Sequence, residues 1–107
     1  MGSKVRKLII VTSSYDPLKG KITGLVSKVA NELGVGYEVR EEDWDLLVKY
    51  GERDEIGGLD LPQVFAELED GTIRHLLTRI PLDDRGKLDL VGAERIIKGK
   101  LGCEGSS

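Results

Sequence analysis

Residues 61–80 read LPQVFAELEDGTIRHLLTRI. Two apolar, strand-like runs, Pro62–Leu68 and Thr72–Ile80, flank an Asp70-Gly71 pair. Asp-Gly between such runs is the strongest short hairpin signal, because both central residues of a type I′ turn need positive φ. The spacing therefore predicts an antiparallel hairpin. A proline at the mouth of its first strand has no N–H to give to a ladder, which suits a strand start or an edge.

Upstream, Lys7–Val11 reads KLIIV, short, continuous and rich in β-branched residues, as a strand buried on both faces should be. From Pro17 the apolar positions Ile22, Leu25, Val26, Val29, Ala30 and Leu33 recur at intervals of one, three and four, one face of a helix that Gly34 would stop. Asp16 before Pro17 is a good N-terminal cap, since proline is favoured at the first helical position and a carboxylate suits the helix start. Gly36–Arg40 reads as a second strand. Asp43 would cap a short helix through Tyr50, with Trp44, Leu47 and Val48 on one side and Trp44 expected at the core edge. Residues 51–59 and 81–87 read as loops. Asp89 would cap a last helix over Leu90–Leu101, followed by a frayed tail over 102–107.

The expected order is β-α-β-α-β-β-α. A helical crossover joins the first two strands, so they should be parallel, while the hairpin is antiparallel. A mixed four-stranded sheet with helices on its faces buries all these surfaces. A chain of 107 residues is expected to form one α/β domain, with an ordered core over about 5–101.

Composition narrows the chemistry. The net charge is −3 with the cations scattered, so nothing calls for a nucleic acid or an anionic membrane. No apolar run reaches the length of a membrane helix, and the cytoplasm is the default expectation. The single cysteine, Cys103, lies in the tail beside Glu104, whose charge disfavours a thiolate; an unreactive thiol is expected. One His and one Cys cannot build an ordinary zinc site, and no cofactor is expected. Asn31 and Gln63 are the only side-chain amides while Lys, Arg and Glu abound, which fits a thermophile as well as chance.

The element order, with a proline opening the third strand, resembles the thioredoxin fold and within it the glutaredoxin-type proteins. The residues that carry the likeness are Leu61-Pro62-Gln63-Val64-Phe65, the Asp70-Gly71 turn and Thr72-Ile73; glutaredoxins carry a similar V-P-Q-V-F run. The resemblance implies a cis peptide bond between Leu61 and Pro62. It also implies a groove beside Pro62, where the backbone of Leu61 would pair with a bound peptide or glutathione. The family's C-x-x-C motif would fall on Asp16-Pro17-Leu18-Lys19, or one residue earlier on Tyr15-Asp16-Pro17-Leu18, and neither register contains a cysteine. Thiol–disulfide exchange needs a thiolate, and a serine hydroxyl cannot replace it. After the fourth strand, Pro81-Leu82-Asp83-Asp84 keeps two acids of the family's pattern, within reach of a ligand amino group or simply solvated.

Other chemistry at the junction is weaker. Ser13 and Ser14 have no evident activating base, and His75 belongs to the distant fourth strand. Lys19 and Lys21 near a helix start would favour an anion, but there is no glycine-rich loop and Asp16 competes for the same donors. The expected function is a non-catalytic thioredoxin-like module binding a peptide or protein partner through Ser13, Ser14, Tyr15, Asp16, Pro17, Leu61 and Pro62, with Tyr15 as a candidate anchor. The alternatives are an enzyme using glutathione or another thiol cofactor, and a structural or dimerisation domain.

Overall fold

In a computed structural model the described residues are 4–51 and 61–101. Most of the expected 51–59 loop, the tail and Cys103 lie outside them. The elements are β1 (Val5–Thr12), α1 (Lys19–Leu33), β2 (Gly36–Glu41), α2 (Trp44–Tyr50), β3 (Gln63–Leu68), β4 (Ile73–Thr78) and α3 (Leu90–Leu101). The sheet is mixed, in the order β2-β1-β3-β4. β1 runs parallel to β2 and antiparallel to β3, and β4 runs antiparallel to β3. The protein is thus an α/β domain built on a mixed four-stranded sheet, and among the described residues no helix is long and apolar enough to cross a membrane.

Strand alternation divides the core. Leu8, Ile10, Val64 and Ala66 face α1 and α3, whose Ile22, Val26, Val29, Ala93 and Ile97 complete that cluster. Ile9, Val11 and Phe65 point the other way, against Leu46 and Leu47 of α2. Leu8–Val11 is fully buried because β1 is central and covered on both faces, as its unbroken apolar run implies. In β4 the alternation breaks: Val64 pairs with Leu77 but Phe65 with His75, so Leu76 is an extra residue in a bulge. The bulge lets the adjacent Leu76 and Leu77 bury in the same cluster.

Four local expectations are corrected. The 68–72 hairpin does not use a two-residue type I′ turn. Gly71 N–H bonds to Leu68 C=O and only Gly71 of the pair has positive φ (89°), giving a three-residue loop over 69–71. α1 begins at Lys19 rather than Pro17, because two successive turns, Ser13–Asp16 and Asp16–Lys19, precede it. β4 ends at Thr78 rather than Ile80, since Arg79 takes φ 59°. Trp44 is not at the core edge: α2 seats Leu46 and Leu47, leaving Trp44 and Val48, one turn apart, 46% and 55% exposed. Gly34 stops α1 in the left-handed region (φ 73°), and Asp89 accepts the Gly92 N–H at the start of α3 (2.8 Å), both as the sequence implies.

Where α2 does not reach, charge covers the sheet. Lys7 Nζ donates to Glu38 (2.8 Å), Arg40 Nε donates to Glu38 (3.0 Å), and Arg40 also meets Asp43 (3.3 Å). Hydrogen bonds from Arg40 and then Lys7 hold the Glu38 carboxyl down at about 2, from an ordinary 4.5. A depressed folded-state value means this stability is fully present above pH 4.5 and is lost as pH falls through about 2. Glu38 is half-exposed, so screening holds the contribution to about 0.2–1 kcal/mol. Glu38→Gln is expected to flatten the acid limb of a urea-midpoint profile between those pH values and to leave it parallel to wild type near neutrality.

Candidate functional site

The β1–β3 ladder pairs Val11 with Gln63. One residue further along each antiparallel strand, Thr12 comes beside Pro62 and the turn that starts at Ser13 comes beside Leu61. The two stretches singled out in the sequence therefore meet at one end of the sheet. The Leu61–Pro62 bond is cis. Pro62 is buried, and its carbonyl accepts the Arg79 N–H (2.9 Å), tying the start of β3 to the end of β4. Among the described residues no hydrogen bond engages the Leu61 backbone. The Leu61 side chain packs on the α2-facing cluster and is committed there.

The 13–18 turn is held from within. Asp16 N–H bonds to Ser13 C=O (3.1 Å), and Asp16 C=O accepts Lys19 N–H (3.2 Å). One Asp16 carboxylate oxygen accepts the Leu18 N–H (2.9 Å), and the other accepts the hydroxyl of Thr12 (2.7 Å), which is fully buried. Asp16 is thus a clamp between the strand end and the turn, and the formal first cap of α1 is Leu18, with no side-chain bond. Asp16→Ala removes both acceptors and strands a buried hydroxyl. The expected loss is about 1–3 kcal/mol, read from urea unfolding, whereas Asp16→Asn should recover part of it. Tyr15 at the turn's apex is 90% exposed; Ser14 and Pro17 are also exposed, and Ser13 is half-buried.

Beyond Leu18 the site opens into a cleft of about 420 Å³, walled by Leu18, Ile80, Pro81, Leu82, Leu88 and Ile96. Sequence reading did not find this wall. Its signal is the pair Leu82 and Leu88, which bridge across a small second hairpin. Asp83 organises that hairpin by accepting the N–H groups of Arg85 (2.8 Å) and Lys87 (3.0 Å), so it is a turn residue. Asp84 is exposed.

Other candidates separate from the site. Lys19 is paired with Glu41 (3.0 Å) and Lys21 is exposed. His75 lies on β4, edge-on to Phe65 with ring centres 5.5 Å apart, and its Nε2 is 2.6 Å from the Thr78 hydroxyl. It forms no triad with Ser13 or Ser14 among the described contacts. Among the described residues no group of three His, Cys, Asp or Glu side chains is arranged to hold a metal ion. Comparison of the chain with family models, with curated proteins and with solved structures gives no match in any of the three.

Proposed function

We propose that this chain is a thioredoxin-like domain of the glutaredoxin type that binds rather than catalyses. Ser13, Ser14, Tyr15, Asp16 and Pro17 form one bank of its groove, and Leu61 and Pro62 form the other. The occupant is an extended segment of a peptide or protein, engaged through the Leu61 main chain and anchored by the Tyr15 ring. The observation that carries the proposal is the juxtaposition of a thiol-free turn with a Leu61 backbone that no hydrogen bond engages among the described residues, at one sheet end. The mixed four-stranded sheet with helices on both faces and the cis Leu61–Pro62 bond are compatible with the resemblance and support this reading.

Neither bank offers a nucleophile paired with a base, and Asp16 is committed to Thr12 and Leu18. Such a site suits binding, and fold likeness alone supplies no function. Selection of a displayed random-peptide library on the immobilised protein tests the proposal. Binders should weaken by about tenfold to a hundredfold on Tyr15→Ala, the loss of one aromatic anchor. A library that yields only binders indifferent to Tyr15→Ala removes the proposal. Displacement of the selected peptides by reduced glutathione would instead favour the thiol-cofactor alternative.

A further inference from the structure

The sheet has two outer strands, and they are finished differently. β4 carries the Leu76 bulge, a device that spoils an edge for pairing. β2 runs beside β1 from Gly36 to Glu41 with no register shift, and among the described residues nothing pairs with its other edge. Tyr37 on that strand is 43% exposed.

The order of side chains on β2 is self-complementary. Glu38 and Arg40 lie on one face, two residues apart, already hydrogen-bonded to each other (3.0 Å). Val39 stands between them. In an antiparallel pairing of two β2 strands with Val39 on the two-fold axis, Glu38 faces Arg40 of the second copy, and Arg40 faces its Glu38. Tyr37 then faces Glu41, and no like charges oppose. Centring the pair on Glu38 or on Arg40 sets like charges directly opposite, which is unfavourable. Of these three centres charge selects Val39, where each copy supplies one partner to both Glu38–Arg40 pairs across the axis.

We infer that the outer edge of β2 is a homodimerisation edge, joining the two sheets antiparallel about Val39 into one continuous sheet. The interface is independent of the groove beside Pro62 and leaves it open in both copies, because that groove lies between the end of β1 and the start of β3.

Sedimentation of the full chain over a range of concentrations tests it, with Glu38→Arg and Arg40→Glu as variants. Wild type is expected to associate to a dimer that weakens with added salt. Each single variant places like charges across the axis and should raise the dissociation constant about tenfold or more. Mixing the two variants restores opposite charges at every position, so a one-to-one heterodimer should re-form while each alone stays monomeric and folded by circular dichroism. The inference is overturned by a wild type that remains monomeric at the highest concentration reached. A dimer indifferent to both charge changes, or a mixture that fails to restore association, also overturns it.

Discussion

Phe65→Ala is expected to lower unfolding stability by about 3–5 kcal/mol, a large part of what a domain of this size has in hand. Phe65 is fully buried and heads the largest side chains of the interior. It fills the space between the sheet and α2, against Ile9, Val11, Leu46 and Leu47, and its ring meets the edge of His75. α2 is only two turns long, and among the described residues its buried side chains, Leu46 and Leu47, share their cluster with Phe65, the largest side chain there. Urea unfolding gives the number, and hydrogen exchange should show the α2 amides losing protection first. A cost below about 1 kcal/mol would mean that α2 is not seated on this face.

Gly51→Ala is the second large effect. A Cβ at Gly51 would stand 2.7 Å from the Leu47 carbonyl oxygen and 2.9 Å from Gln63 Oε1. The first is helix backbone, and it accepts the Gly51 N–H at 2.9 Å, so it cannot withdraw without opening the end of α2. The second belongs to a fully buried side chain. The expected cost is about 1–3 kcal/mol. Gly24→Ala is the matched control: it lies within α1 with nothing inside 4 Å of the added Cβ. It should stabilise by about 0.4–1 kcal/mol through helix propensity and a less free unfolded chain. Opposite signs for the two substitutions would establish close approach, rather than glycine replacement itself, as the cause.

The elements that could be read from the sequence are those whose pattern is local. Lys7–Val11 announced a doubly covered strand by its unbroken β-branched run, and α1 by its apolar face from Ile22 to Leu33. What escaped depends on neighbours distant in the chain. Pro17 looked like a helix start, yet the buried Thr12 hydroxyl draws Asp16 into a turn and delays the helix to Lys19. Trp44 shares a helix side with Leu47 and Val48 in the sequence pattern, but the register of a two-turn helix buries Leu46 and Leu47 instead. The Asp70-Gly71 signal located the hairpin correctly and its turn type wrongly, because the loop takes Glu69 as well. At the candidate site both banks were legible, one as a loop between strand and helix, the other as a proline opening a strand. Their adjacency follows from the pairing of Val11 with Gln63, and the apolar wall from Ile80 to Leu88 follows from the chain folding back after β4. The parity of a strand ladder is not written in either strand alone.

The decisive measurement is an amide chemical-shift map of the isotope-labelled protein titrated with a library-selected peptide. The expected result is a set of shifts confined to Ser13–Leu18 and to Leu61 and Gln63, abolished by Tyr15→Ala, with the amides of α1 beyond its first turn unmoved. Shifts centred on the Trp44–Val48 face of α2 or on the exposed side of α3, with the 13–18 turn silent, would contradict a groove at this end of the sheet.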